Sequence, residues 1–361
     1  MKEKRIVIKI GSSILASKRT GIDERFLDRV VSQVAKLSDS GINVCLVSSG
    51  AILAGLSILK QEKIPSKVSK LQAIASVGQA VLMNVYNNLF KKYKKISAQV
   101  LLTWDDFQDR KRYINAKNTL FTLLKEGVIP VVNENDTVST EEIKFGDNDR
   151  LSALVAGLVD AEVLLILSDI EGFYFKGRLL KRAEGVSPDF FKEAKGKKFS
   201  FTKGGMFSKL EAAQLANTFG IKTIIANGKR QNLLIEAILE RKELGTTFLP
   251  SSRVSARKRW IAYSRKPKGE IIIDKGAEKA LIEKNSSLLS QGIKEVKGNF
   301  LKKDTVQILN EEGKILGWGL VNYDSQELAL NKGKKLPLEV IHRDNLVINS
   351  VCSFKFEEGL C

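Results

Sequence analysis

Residues 5–50 read RIVIKIGSSILASKRTGIDERFLDRVVSQVAKLSDSGINVCLVSSG. RIVIKI (5–10) is a short, nearly continuous apolar run, the pattern of a strand buried on both faces. From Asp23 to Ser40 the apolar residues Phe26, Leu27, Val30, Val31, Val34 and Leu37 recur at helical spacing, and Gly41 stops the run. INVCLVSS (42–49) is a second apolar strand. Strand, amphipathic helix and strand make one βαβ unit, whose strands must lie parallel.

The alternation continues to about residue 250. Helices are predicted over about 66–93, 114–126, 150–159, 206–219 and 231–241, and strands at SAQVLLT (97–103), VIPVVNE (128–134), EVLLILSD (162–169) and KTIIAN (222–227). The fold class is therefore α/β, with a parallel sheet covered by helices on both faces. SSRVSARKRWIAYSRKPKG (251–269) is basic and polar and carries Pro267 and Gly269, as a connecting arm would. Beyond it come short strand-like runs such as GEIIID, DTVQILN and KILGWGLVN, which read as a small β-rich domain. The expected boundaries are residues 1–253, a linker at 254–268, and a C-terminal domain at 269–352.

Composition narrows the function. The chain has 361 residues, 43% of them apolar and 17 of them Phe, enough for a large core. Its single histidine, His342, excludes a multi-histidine zinc site. A Ser-His-Asp triad would have to be built on that one residue. The three cysteines, Cys45, Cys352 and Cys361, have no CxxC pairing and read as reduced thiols of a cytoplasmic protein. The N-terminal apolar run is too short for a signal peptide, and no stretch reaches the ~18 apolar residues that span a membrane. With 59 basic and 41 acidic residues the formal net charge is +18. The excess is spread evenly, +13 over residues 1–253 and +5 over 254–361, which reads as a solvated surface more readily than as a nucleic-acid footprint.

Ligands of parallel sheets sit at the carboxyl ends of the strands. The residues there are Lys9-Ile10-Gly11-Ser12-Ser13, Ser48-Ser49-Gly50, Asn133-Glu134-Asn135-Asp136, Gly146-Asp147-Asn148-Asp149 and Ser168-Asp169, with Thr202-Lys203-Gly204-Gly205-Met206-Phe207-Ser208-Lys209 before a later helix. Each has a purely structural reading. Ser48 and Ser49 could cap the next helix, Asp147 or Asp149 could be an N-cap, and Gly204-Gly205 could be a hinge. Together they combine glycine loops, whose amides can approach phosphate oxygens, with lysines at opposite ends of the domain. The carboxylates could hold magnesium directly or through water. No GxxxxGK[ST] or strand-linked GxGxxG is present. His342-Arg343-Asp344 with Asn349 matches a protein-kinase spacing, but only 12 residues follow, too few for the rest of such a site.

The ordered set KIGSS (9–13), SSGAILAG (48–55), VGQ (77–79), LLTWDDFQDRKRYINAKNTL (101–120), PVVNENDTVSTEEIKFGDNDRLSALVAGL (130–158), LSDIEGFY (167–174) and GGMFSKLEAA (204–213) resembles the glutamate 5-kinases of the amino acid kinase family. Residues 269–350 resemble the PUA domain that many bacterial members carry; PUA domains elsewhere bind RNA. The resemblance implies a three-layer α/β/α sandwich with a mostly parallel sheet, plus a small barrel-type domain. It implies phosphorylation of the side-chain carboxylate of L-glutamate by ATP, the first step towards proline. Magnesium is then the expected cofactor, proline a feedback inhibitor, and a homo-oligomer the expected state.

By matching position, the resemblance implies that Lys9 contacts the ATP phosphates and that Gly11 and Ser12 cradle them. Ser49, Asp136 and Asn148 match glutamate-binding positions. Ser168 and Asp169, and the segment Lys203, Gly204, Gly205, Met206, Phe207, Ser208 and Lys209, match nucleotide positions. Lys209 would neutralise charge on the transferred group, and Asp149 would organise the lysines and metal; no metal ligand is assigned. Three positions depart from the family pattern: Lys203 stands where a threonine is usual, Ser168 replaces a threonine, and residues 171–200 lack an Asp-Pro. The chemistry suits the composition. A glutamate carboxylate, with a reference pKa of ~4.3, is ionised at neutral pH and needs no general base. Two other readings stand beside this one. The chain could be an RNA-binding protein with a regulatory kinase-like half, or a related kinase acting on aspartate, N-acetylglutamate or UMP.

Overall fold

The computed structural model describes residues 4–17, 21–61, 63–138, 148–196, 205–250, 267–284 and 286–348. Most of the predicted linker (254–266) and residues 349–352 of the predicted C-terminal domain lie outside the described residues. The chain divides into two compact units, with most of residues 1–253 in the first and 254–361 in the second.

The first unit opens with β1 (Arg5–Ile10), α1 (Ser12–Leu15), β2 (Ala16–Ser17), β3 (Gly21–Ile22), α2 (Glu24–Asp39) and β4 (Asn43–Ser48). Next come α3 (Ala51–Ile58), α4 (Val68–Lys92), β5 (Ser97–Leu102), α5 (Trp104–Gln108), α6 (Arg110–Lys125), β6 (Ile129–Glu134), α7 (Asn148–Leu158) and β7 (Val163–Ser168). It ends with β8 (Tyr174–Phe175), β9 (Arg178–Leu179), β10 (Arg182–Glu184), α8 (Pro188–Gly196), α9 (Met206–Thr218), β11 (Lys222–Asn227), α10 (Leu233–Ile238) and β12 (Thr246–Leu249). Eight strands form one sheet in the order β10-β12-β11-β7-β1-β4-β6-β5. Only the β11–β12 pairing is antiparallel. The α/β reading and its mostly parallel sheet hold.

The alternation of side chains along β1 separates the layers. Ile6, Ile8 and Ile10 join a core with Phe26, Leu27, Val30, Val31, Val34 and Leu37 of α2, Leu82, Tyr86 and Phe90 of α4, and Leu233 and Leu234 of α10. Val7 and Lys9 face the opposite way, towards the layer that contains α7 and α9. Lys9 is thus a buried lysine by strand parity.

Helix α3 and several short elements (α5, α8, β8 to β10, β12) were not expected. AILAGLSI carries no polar face, because α3 is packed between neighbours and offers no 3.6-residue alternation to read. Its fit against α4 depends on glycine. A Cβ at Gly78 would overlap the Ala51 carbonyl oxygen, and one at Gly55 would overlap that of Ile74. Neither clash is with a flexible side chain, so the helices would have to part. Gly78→Ala is expected to cost about 3 kcal/mol, the upper end of overpacking. A thermal midpoint equal to that of the parent chain would contradict this close packing.

The second unit contains β13 (Gly269–Ile273), α11 (Lys275–Lys284), β14 (Ile293–Gly298), β15 (Thr305–Leu309), β16 (Ile315–Leu320), α12 (Ser325–Asn331) and β17 (Leu346–Ile348). Its five strands run in the order β14-β13-β15-β16-β17 over a core that includes Ile271, Ile273, Val306, Ile308 and Ile341. The unit is β-rich, as expected, with two short helices added. Each helix is started by an aspartate: Asp274 accepts from the Ala277 amide (2.7 Å) and Asp324 from the Glu327 amide (2.8 Å). His342 accepts from the Asp344 amide (3.2 Å) at a single 3-10 turn, a local capping role. Among the described residues no helix is long and apolar enough to cross a membrane.

Candidate active site

From β1 the chain builds outward through β4, β5 and β6, then returns to place β7 on the other side of β1. The strand order reverses there, and in open α/β sheets the ligand crevice lies at that switch point, outside the carboxyl ends of the strands. Gly11 follows β1 at this place. A Cβ on it would stand 3.3 Å from the Leu167 carbonyl oxygen of β7 and 3.6 Å from Lys9 Nζ.

Three ionic groups meet beside Gly11. Lys9 Nζ lies 2.6 Å from Asp149 Oδ1, and Lys209 Nζ lies 3.3 Å from Asp149 Oδ2. Ser208 Oγ donates to the same Oδ2 at 2.8 Å. All three charged side chains are buried, Asp149 completely. Burial alone would raise the Asp149 carboxyl, but the charges of Lys9 and Lys209 and the hydrogen bonds from Lys9 and Ser208 outweigh it and hold the group below its ordinary value. Burial, with the Lys209 charge, pulls Lys9 down despite Asp149. Two ammonium groups on one carboxylate leave an excess positive charge in a dry site, which an anion would neutralise.

Helices α3, α7 and α9 all begin here. Gly50 and Gly205 are the N-caps of α3 and α9, and neither has a side chain to occupy the free amides of the first turn. Gly50 has φ +104°, and a Cβ there would strike Leu15. The serines before it do not cap α3. Ser48 Oγ pairs with Tyr86 OH at 2.8 Å, and Ser49 Oγ accepts from Asn148 at 3.0 Å. Nor is Asp149 a cap: it lies inside the first turn of α7 and faces the lysines.

The neighbouring half of the site is neutral and polar. Asn148 Nδ2 donates to the Ser48 carbonyl (2.8 Å), to Ser49 Oγ (3.0 Å) and to Asn133 Oδ1 (3.0 Å). Asn133 Nδ2 in turn donates to Gln79 Oε1 at 2.8 Å. Asp136, beyond β6, makes no hydrogen bond or ion pair among the described residues, and burial pushes its carboxyl up to about 6.

The structure therefore brings Lys9, Gly11, Ser49, Asn148, Asp149, Ser208 and Lys209 together through contacts. Ser12 begins α1 next to Gly11. Ser168 ends β7 with its Oγ donating to Asp169 Oδ1 at 3.2 Å. Met206 and Phe207 open α9, and the Phe207 ring meets Phe191 edge-on at 5.2 Å. Lys203, Gly204 and Asp147 lie outside the described residues. Asn133 and Gln79 were not expected in the site. Asn133 stood in a strand-end segment already singled out, whereas Gln79 sits mid-helix and was marked only as part of VGQ (77–79) in the family resemblance, with no role assigned. Among the described residues no group of three His, Cys, Asp or Glu side chains could hold a metal ion. Both oxygens of Asp149 are already engaged by cations, so this donor set does not fit a resident magnesium.

Residues 4–227 match the family model described as "Amino acid kinase family", and residues 269–342 match that of the PUA domain. The chain is 44% identical to a glutamate 5-kinase of Caldanaerobacter subterraneus subsp. tengcongensis, over 95% of this chain and 97% of that one. It is 42% identical to proteins of the same name from Thermoanaerobacter sp. (strain X514), at 95% and 97% coverage, and from Thermus thermophilus, at 96% and 97%.

Proposed function

Because this chain belongs to the amino acid kinase family, we propose that it transfers the γ-phosphoryl group of ATP to the side-chain carboxylate of L-glutamate, giving L-glutamyl 5-phosphate, the first step towards proline. The observation that carries this reading is the buried Lys9–Asp149–Lys209 cluster at the switch point, an electropositive site whose carboxylate is engaged by both ammonium groups. A carboxylate oxygen attacks the γ-phosphorus as the bond to the bridging oxygen breaks, and the electron pair leaves on ADP. No proton has to move.

In this reading Lys9 and Lys209 offset charge on the transferring phosphoryl group, with Asp149 holding them apart and aimed. Gly11, Ser12 and the amides at Gly205, Met206, Phe207 and Ser208 line the phosphate path. Ser168, Asp169, Lys203 and Gly204 belong to the nucleotide side. The described residues offer no carboxylate cage for magnesium, so any magnesium the reaction needs would come with the nucleotide and would offset phosphate charge. Ser49, Asp136 and Asn148 take the amino acid. The kinase domain is read as residues 1–253, the linker as 254–268 and the PUA-like domain as 269–352. Cytoplasmic location, proline inhibition and a homo-oligomer complete the proposal.

The test is glutamate-dependent ADP release, with hydroxylamine trapping the acyl phosphate as hydroxamate. Activity with aspartate, N-acetylglutamate or UMP in place of glutamate would overturn the substrate assignment. RNA affinity that falls steeply with salt, without turnover, would favour the RNA-binding alternative. The same assay carries a pH prediction. With Asp136 titrating at about 6, its ionised fraction falls roughly tenfold between pH 7 and pH 5. If that carboxylate receives the substrate ammonium, KM for glutamate rises by about the same factor over that range, while KM for ATP moves little. Asp136→Asn should show a high KM at both pH values; a pH-independent KM in the parent chain would remove Asp136 from the site.

A further inference from the structure

The amide groups of the acceptor half form a chain whose direction is set at one fixed point. The Glu134 backbone N–H donates to Asn133 Oδ1 at 2.9 Å, and a backbone amide can only donate. Asn133 Nδ2 is therefore the opposite end, and it requires the acceptor Oε1 of Gln79 at 2.8 Å. On the other side, Asn133 Oδ1 and the Ser48 carbonyl are both acceptors, so Asn148 turns its Nδ2 towards them. Asn148 Oδ1 is left accepting nothing among the described residues. Gln79 Nε2 is buried without a partner among the described residues. A buried unpaired donor is costly, and an apolar side chain of the same shape would avoid that cost. The position uses the acceptor end of this amide. Its placement is tightly held, since Gly78 before it is pressed against the Ala51 carbonyl, two residues beyond Ser49.

We infer that Gln79 is a positioning residue for the phosphoryl acceptor: acting through Asn133, it keeps Asn148 Oδ1 turned towards the ligand, so that the site selects a substrate bearing an ammonium group. This rests on the glutamate reading. Asn148 Oδ1 and the Asp136 carboxylate are then two acceptors for one ammonium, while Ser49, whose oxygen accepts from Asn148, keeps its own proton for a substrate carboxylate. Without the Gln79 acceptor, Asn133 Nδ2 is left a donor without its partner, and Asn133 shifts to find another. Asn148 Nδ2 then loses one of its three acceptors, and its Oδ1 is held less firmly towards the ligand.

The experiment compares glutamate with glutarate, which lacks the amino group, as a competitive inhibitor of the full-length enzyme. In Gln79→Leu, KM for glutamate is expected to rise about tenfold or more, the size of a lost hydrogen bond to a charged group, with kcat, KM for ATP and Ki for glutarate within about threefold. Gln79→Glu retains the acceptor and should keep the parent ratio of glutarate Ki to glutamate KM within about threefold. A purely structural role would shift both ligands together. An unchanged ratio in Gln79→Leu overturns the inference, as does a ratio lost as fully in Gln79→Glu. If Gln79→Leu does not fold, Gln79→Ala carries the same expectation. A parent chain inactive towards glutamate would defeat the functional reading, and this inference with it.

Discussion

Lys9→Ala and Lys209→Ala are each expected to lower kcat by about 10²–10³-fold, the range for removing one preorganised group that stabilises transition-state charge. The reason is geometric. Both ammonium groups converge on Asp149, at 2.6 and 3.3 Å, and both are buried. Their attraction for a phosphoryl oxygen is therefore little screened by water. The fold should survive either change, because Asp149 keeps the other lysine and the Ser208 hydroxyl (2.8 Å) as partners. The assay is initial-rate ADP release beside a thermal melt. Near-normal turnover in both variants would overturn the assignment of roles. Lys9 is drawn down by burial, so activity in the parent chain should fall as pH rises through its lowered pKa and the ammonium is lost.

Asp149→Asn is the more damaging change, since it leaves two buried ammonium groups facing each other over a neutral amide. Removing one partner from a buried ionic cluster costs about 3–5 kcal/mol. The pH dependence has a definite sign. In the parent chain the Asp149 carboxyl is held below its ordinary value. Its stabilisation is therefore present above the unfolded carboxyl pKa and is lost as pH falls through the folded one. In the variant that contribution is absent, and Lys9 is pushed further down. The unfolded chain then binds more protons than the folded one, so the variant gains stability as pH rises. Phosphate or ADP should restore part of the melting temperature by supplying the missing negative charge. Turnover should fall by about 10³-fold as the lysines lose their common anchor. A variant that melts and turns over like the parent would mean that Asp149 organises nothing.

Much of this was legible before the fold was known. RIVIKI, INVCLVSS and EVLLILSD read as buried strands, and the helices between them announced themselves by spacing. A parallel sheet has a known ligand edge, so the segments that hold Lys9, Asn148, Asp149 and Lys209 could be placed there from the alternation of elements, while the roles of those residues came from the family resemblance. Helix α3 stayed hidden because AILAGLSI is apolar nearly throughout and so shows no polar face to alternate with a buried one. Ser48 and Ser49 read equally well as caps, since serine serves both uses and only the partner atom tells them apart.

Local pattern is a property of neighbours in the chain, and it was sufficient for the α/β class, the alternation of elements and the edge where ligands bind. The convergence of Lys9, Asp149 and Lys209 on one buried point is a property of strand parity and layer packing across 200 residues. Gln79 shows the difference most clearly. VGQ (77–79) entered the reading only as a segment of the family resemblance, with no role for the side chain, and its link to Asn148 passes through Asn133 on a strand 54 residues away in the chain. Hydrogen-bond direction passes through space, so only the packed structure brings such a residue to the site.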